Sequence, residues 1–427
     1  MNIFYPILKK VVRFFLRFCF KRIYSNKFDE LPDNTPILIA CNHNNAFADA
    51  LFVGAYLSKL PMHFITRGDV FNPRMMWFFK LTYQIPIFRF RDGYENMKRN
   101  TDSMEACYDI LNQNQRIIIF SEGDCVTEKR LRPLQKGTAR MAFGAYEKNG
   151  QENILIYPVG VNYIEPHSFR SSILLSQGEP LKLSDYLPLY RQNPNKAIRQ
   201  LTDDLEFQLK KEVLHIDSKE HEKQAQVGFE VLDNYYPPTF FSLAKNHSLF
   251  LKMKSWAIHF NKDTREESRT SWPQSLSLLK TILADAKIKT KWPFYSGYFI
   301  INIVVAILLL PIGLLAQFYF NIPIVIAKIL TIRFKPRREF FLSIRIGITW
   351  AIITIWLLLT FLAVGLIWNF KFALIFLLIS PIWAKIGLIW WGARNNLIQK
   401  IRWSSLDEED EEKAMNIMTN LQLIHEE

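Results

Sequence analysis

The chain has 427 residues and a formal net charge of +13, and 49% of it is hydrophobic, with 34 Phe and 11 Trp. That length exceeds one ordinary core and points to two or three units. Nucleic acid would suit the charge, but no nucleic-acid module is recognisable and the basic clusters flank apolar runs, so anionic lipid and a phosphorylated small molecule account for it instead.

At the N-terminus Lys9, Arg13, Arg17 and Lys21 recur every fourth residue, while Phe4, Leu8, Val11, Val12, Phe15 and Phe18 gather on the other side. This spacing predicts a basic amphipathic helix within residues 1–28 that lies on an anionic bilayer surface. Its charges interrupt every apolar run, so it is not read as a cleavable signal peptide. Pro36 to Ala40 then reads as a short buried strand, and Ala46 to Leu60 as an apolar helix. Between them stand His43 and Asp49. On one continuous helix their separation would turn them through roughly 600°, so they meet only if His43 sits in the loop and Asp49 in the first turns of the helix. A carboxylate so placed fixes the imidazole tautomer and stabilises the imidazolium formed on proton uptake, which makes His43 a candidate general base.

Further on, Gln84 to Asp92 is strand-like, with Arg89 and Arg91 on one face. The apolar run Arg116 to Ile119 leads into Phe120-Ser121-Glu122-Gly123. Lys129, Arg130, Arg132, Lys136 and Arg140 follow, with Gly137 and Thr138 opening a helical pattern. Backbone amides at a helix start with cations beside them suit a phosphate. Ile154 to Tyr163 is another apolar strand, carrying Pro158, and Lys196 to Ile216 is an amphipathic helix that could finish this domain.

In this order the four segments resemble the acyltransferase blocks of the PlsC-like glycerolipid acyltransferase superfamily, over roughly residues 35 to 185. The five residues between His43 and Asp49, with Asn45 and Phe47 in between, look most like the glycerol-3-phosphate and dihydroxyacetone-phosphate acyltransferases. The resemblance implies that His43 is the base and Asp49 its partner. It also implies that Arg89, or the nearby Arg91, binds the substrate phosphate, and that Glu122-Gly123 and Pro158 are the marks of the third and fourth blocks. Ser121 replaces the family's usual proline, and Asp124-Cys125-Val126 replaces its Thr-Arg-Ser. Phosphate binding is then expected to lean on Lys129, Arg130, Arg132 or Lys136.

Acyl transfer to an alcohol needs the hydroxyl proton removed as the bond to the thioester carbon forms, and donors for the carbonyl oxygen. Backbone amides near Gly123 or at the start of the helix after His43 are the expected donors. No acyl-enzyme is indicated, since no Gly-x-Ser-x-Gly elbow occurs. The 4 cysteines, Cys19, Cys41, Cys107 and Cys125, show no paired spacing and suit a reducing compartment. No metal site is expected, because their spacing with His43 and Glu122 fits no common zinc pattern.

The apolar material is concentrated after residue 293. Tyr298 to Phe320 is nearly uncharged, the pattern breaks at Asn321 and Pro323, and it resumes to Leu330; Ile346 to Trp368 and Phe372 to Trp391 are further runs of spanning length. Lys287, Lys289 and Lys291, then Arg333 to Arg338, then Arg394 to Arg402 can share one side only if these runs form two hairpins, and by the positive-inside rule that side is cytoplasmic. The acidic run Asp407 to Lys413 begins a solvated helix.

The expected fold is α/β: an acyltransferase domain with a mixed sheet flanked by helices, plus a C-terminal membrane region of two hairpins. The expected units are a membrane-surface helix (1–28), the acyltransferase domain (29–216), a helical connecting region (217–292), transmembrane hairpins (293–395) and a cytoplasmic acidic tail (396–427). The resemblance implies an integral membrane O-acyltransferase acting on glycerol 3-phosphate or dihydroxyacetone phosphate at the cytoplasmic face. It needs no cofactor beyond an acyl-CoA or acyl carrier protein thioester as co-substrate, and its partners are an anionic bilayer and no nucleic acid. Alternatives are a 1-acyl-glycerol-3-phosphate (lysophosphatidate) acyltransferase and a non-catalytic lipid-binding scaffold.

Overall fold

The computed structural model describes residues 4–27, 29–88, 94–168, 170–234, 243–245, 248–266, 271–289 and 299–423. Arg89, Arg91 and Lys291 lie outside them. The strands are β1 (Arg22–Ser25), β2 (Ile37–Cys41), β3 (His63–Arg67), β4 (Gln84–Ile87), β5 (Arg116–Phe120), β6 (Leu155–Tyr163), β7 (Ser172–Gln177), β8 (Leu181–Lys182) and β9 (Leu243–Lys245). Among the described residues they form one 9-stranded sheet in the order β4, β3, β5, β2, β6, β7, β1, β9, with β8 beside β6. The sheet is mixed, because β7 and β8 run antiparallel to β6 while the other pairs are parallel.

β2 lies between β5 and β6, and all of Ile37–Cys41 is buried. A parallel strand covered on both faces must be apolar at every position, which is why this one reads as an unbroken run. Ile37, Ile39 and Cys41 pack with α1 (Phe4–Cys19) and α2 (Ala46–Tyr56). Leu38 and Ala40 face the opposite way, towards α4 (Tyr94–Asn112), α5 (Gly137–Asn149), and the pair α6 (Leu187–Gln192) and α7 (Pro194–Glu212). The short α3 (Met76–Leu81) lies in the β3 to β4 connection. His43 therefore leaves the carboxyl end of an interior strand, where open α/β sheets form their clefts.

α1 is amphipathic, but two of its cations point the other way from the expectation. Lys9 donates to Asp29 and to the Ser58 carbonyl, and Arg13 to Asp29 and the Ala55 carbonyl. The carbonyls belong to the end of α2 and the turn after it, where the helix dipole favours cations. Their capture helps to explain why α2 ends at Tyr56 rather than Leu60. Phe4, Ile7, Val11 and Phe14 are left exposed on the outer side.

A third core joins α8 (Glu222–Asn234), α9 (Ser248–Glu266), α10 (Trp272–Asp285) and α15 (Glu408–Leu423). The acidic run is thus the exposed side of a packed helix. Ala414, Met418 and Leu421, at helical spacing, are buried, and Trp403 Nε1 donates to Glu411 at 2.8 Å.

The apolar C-terminal region contains α11 (Phe299–Leu308), α12 (Leu310–Arg333), α13 (Arg338–Ile367) and α14 (Phe370–Trp403). α12, α13 and α14 are long and apolar enough to cross a membrane. The interruption in the first run is not at Asn321 and Pro323: α12 passes through both, and the break falls at Leu309. Pro311 opens α12, where a missing N–H costs least, whereas Pro323 is buried inside the bundle, where neighbouring helices support the backbone. Small residues let the helices approach closely. A Cβ on Gly313 would lie 2.3 Å from the Trp390 ring, and one on Gly387 2.7 Å from Ala316 Cβ.

β1 is tied to α8 by a buried pair in which Arg22 Nη1 lies 3.1 Å from Asp233 Oδ1, with Ser172 Oγ donating to Oδ2 at 2.9 Å. Burial raises the Asp233 pKa, but Arg22, Lys21 and Ser172 outweigh it and hold the carboxyl below its ordinary range. Its stabilisation is complete above the unfolded-state value and is lost as pH falls through the lowered folded one. Asp233→Asn strands a buried guanidinium and is expected to cost about 3–5 kcal/mol, read as a lower thermal unfolding midpoint of the detergent-solubilised protein.

Candidate active site

The loop after β2 is fixed from several sides. The Asn42 side chain bonds both backbone groups of Val161 in β6, at 2.7 and 3.1 Å, and Val126 N donates to His43 O at 3.1 Å. The chain then turns sharply, with Ala46 at φ 42°, a left-handed conformation that a non-glycine residue adopts only when its surroundings enforce it. This turn brings the first turns of α2 back against the loop. His43 Nδ1 lies 2.9 Å from Asp49 Oδ2.

Asp49 is completely buried. Its Oδ2 also accepts from the amides of Asn44 and Asn45, each at 2.9 Å, and its Oδ1 from the Tyr163 hydroxyl at 2.8 Å. Burial, reinforced by Asp49, pushes the Tyr163 phenol well above its usual range, so it remains a donor. An ionised carboxylate can only accept, so Nδ1 of His43 carries the proton and Nε2 is left with its lone pair. The imidazole stacks on Phe120, with ring centroids 3.9 Å apart and planes 14° from parallel, and its side chain is 17% exposed.

Glu122 is buried against Arg132, with Oε2 2.8 Å from Nη2 and 3.2 Å from Nε, and its Oε1 accepts from the Arg132 amide. Burial raises its pKa and Arg132 opposes the rise. The pair staples a loop in which Gly123 takes φ 75°, and a Cβ there would meet Gln135 Cγ at 2.8 Å. Ser121 bonds Thr138 at the start of α5, at 2.9 Å. Pro158 lies in β6 opposite Ala40 of β2.

Three of the four cations expected to hold phosphate, Lys129, Arg130 and Arg132, are committed elsewhere. Lys129 Nζ donates to the carbonyls of Tyr163 and Ile164 at 2.8 and 2.9 Å and sits 5.1 Å from the centre of the Phe229 ring. Burial, opposed by Glu230, Glu222 and Glu165, brings its pKa down to about 8. Arg130 pairs with Glu128, Arg132 with Glu122, and Lys136 is exposed just before α5. None of these four lines the cavity beside His43. The expected oxyanion donors are also engaged: the Gly123 amide donates to Phe120 O, and the Ala46 amide to Cys125 Sγ at 3.1 Å.

That cavity is about 820 Å³, ample for an elongated ligand. Its polar groups include His43 and Gln135 from loops, Arg67 at the end of β3, Asn100 of α4, Thr138 of α5 and Arg337 just before α13. Its apolar walls come from the helices: Leu8 and Val12 of α1, Phe47 and Leu51 of α2, and Ile346 and Trp350 of α13. Sequence reasoning missed Tyr163, Cys125, Arg67, Arg337 and the α13 wall. Tyr163 lay in view at the end of an apolar strand, but its alignment with Asp49 depends on the strand order.

Residues 22–162 match the family model described as Acyltransferase. Relatives include glycerol-3-phosphate O-acyltransferase 1 of Saccharomyces cerevisiae, 35% identical over 99 residues covering 22% of this chain and 13% of that protein. Glycerol-3-phosphate O-acyltransferase 2 of the same yeast is 29% identical over 103 residues, covering 24% and 14%. An uncharacterised acyltransferase of Schizosaccharomyces pombe is 26% identical over 152 residues, covering 35% and 22%. The chain thus spans less than a quarter of the length of these relatives. A crystal structure of the 1-acyl-sn-glycerophosphate acyltransferase PlsC from Thermotoga maritima superposes with a TM-score of 0.33 at 14% identity, over 47% of this chain and 79% of that one. The stretch carrying the His43–Asp49 pair thus lies within the residues that match the Acyltransferase family model.

Tyr163→Phe takes one donor from a buried carboxylate oxygen. It is expected to cost about 1.5–3 kcal/mol of unfolding free energy, measured by denaturant titration in detergent.

Proposed function

We propose that the chain is a membrane-bound O-acyltransferase that moves a fatty acyl group from a thioester to the hydroxyl of glycerol 3-phosphate or dihydroxyacetone phosphate. The observation that carries this reading is His43, oriented by a buried Asp49 and opening on a cavity lined by both polar and apolar side chains. His43 Nε2 takes the hydroxyl proton while the oxygen attacks the thioester carbonyl carbon. The tetrahedral intermediate then collapses, the C–S bond breaks, and the leaving thiolate recovers the proton from the imidazolium. Asp49 stabilises that imidazolium without taking the proton.

The acceptor assignment is supported by the likeness to the two glycerol-3-phosphate O-acyltransferases of Saccharomyces cerevisiae. Its phosphate is held by cations at the cavity, of which Arg337 and Arg67, the latter also paired with Asp69, are the candidates among the described residues. The acyl chain lies along the walls from α1, α2 and α13, which lead to the apolar helices. The catalytic domain rests on the cytoplasmic leaflet, a reading supported by the basic cluster Arg333 to Arg338 that leads into α13 on the side where α13 packs against α2.

His43→Ala is expected to lower acyl transfer about 10²- to 10⁴-fold while the protein still inserts and folds; comparable turnover by that variant removes the base assignment. Arg67→Gln and Arg337→Gln are each expected to raise the acceptor KM several-fold. Purified enzyme offered glycerol 3-phosphate and lysophosphatidate in competition is expected to favour the first. A clear preference for the lysolipid would overturn the acceptor assignment in favour of a lysophosphatidate acyltransferase, and transfer to neither acceptor would favour the lipid-binding scaffold.

A further inference from the structure

Helix α2 begins badly for a helix that must hold a catalytic carboxylate. The Ala46 amide reaches only Cys125 Sγ, the Ala48 amide bonds the Asn45 carbonyl at 2.9 Å, and Asn45, at the N-cap, makes no side-chain capping bond. The missing cap comes from far along the chain. Ser343, in the first turns of α13, is completely buried; its Oγ donates to Asn45 O at 2.6 Å and accepts from Ala48 N at 2.9 Å. Both partners lie between His43 and Asp49, and the amide of Asn45 itself donates to Asp49. One hydroxyl therefore clamps both sides of the turn at Ala46, the left-handed residue on which the approach of His43 to Asp49 depends.

The contact is part of a packed joint. Leu342 and Ile346, flanking Ser343 on α13, are buried in the same core as β2 and α2, and Gly347 lies against the Phe47 ring. A hydroxyl at this point does what an N-cap side chain does, but it is supplied by a helix that continues into a candidate membrane span.

We propose that Ser343 is a positioning residue of the acyl-transfer site, through which α13 supplies in cis the side-chain cap that Asn45 does not make. This rests on the reading of His43 as the base. Loss of the hydroxyl leaves the Asn45 carbonyl and the Ala48 amide only their 2.9 Å bond to each other, which loosens the turn and spoils the alignment of the imidazole. Substrate contacts are untouched. The effect should therefore fall on kcat and not on KM.

The test uses the full chain in lipid nanodiscs, with acyl-CoA and glycerol 3-phosphate as substrates and hydrogen exchange of the segment 42–52 as a second readout. Ser343→Ala is expected to lower kcat about 10-fold or more with both KM values unchanged, and to speed exchange at Ala48; Ser343→Thr, which keeps the hydroxyl, restores both. Should the alanine variant fail to fold, Ser343→Cys keeps the size with a weaker donor and is expected to lower kcat in the same way. Unchanged kcat and exchange in Ser343→Ala, a fall in kcat without faster exchange, or a matching rise in KM would each overturn the proposal. His43→Ala is run beside them: full turnover there would remove the base reading itself, while the exchange result would still decide whether Ser343 caps the loop.

Discussion

The site depends on a single buried charge. Asp49 has no contact with solvent, and four donors, the His43 ring, the amides of Asn44 and Asn45 and the Tyr163 hydroxyl, are arranged around its two oxygens. A carboxylate removed from water is tolerated only when its acceptor capacity is met in this way. Each donor then becomes a geometric constraint. The loop amides must point inward, which requires the left-handed turn at Ala46, and the phenol must arrive from β6, which requires that strand beside β2. The imidazole is the remaining donor, so its tautomer and direction follow from satisfying the carboxylate.

The same logic sorts the cations. Arg132, Arg130 and Lys129 stand in a loop rich in carboxylates and carbonyls, and each is taken up within it or by its neighbours. They build the loop that presents Gly123 instead of facing the cavity. Lys9 and Arg13 behave likewise on α1, closing the end of α2 and leaving an apolar face outward. A helix that shows Phe4, Ile7, Val11 and Phe14 to its surroundings, and touches the α13 residue Trp350 through Phe15, suits an apolar medium better than water. Amphipathicity alone did not say which face the protein would claim.

In the proposed reaction, an acceptor alcohol that carries phosphate and a donor that carries a fatty chain belong to different solvents. The cavity has both characters: polar groups such as His43, Gln135 and Arg337 line it beside apolar walls that include α1, α2 and the first turns of the candidate span α13. Reaction of two such partners requires a site at the boundary between them. Packing α13 directly on α2 makes the boundary and the catalytic loop one structure.

The alternating α/β pattern, the buried strand before His43, the loop and helix positions of His43 and Asp49, and the apolar runs of spanning length were all legible in the residues. Each rests on local periodicity or on the covalent spacing of near neighbours, which folding cannot alter. The tertiary structure alone decided which charges were spent on structure, where the first apolar run breaks, that α15 closes a core with α8 and α10, and that Tyr163 and Ser343 reach the catalytic loop. Hydrogen bonds and ion pairs act over about 3 Å, and their partners here stand tens to hundreds of residues apart, so only the packing of strands and helices could bring them within reach.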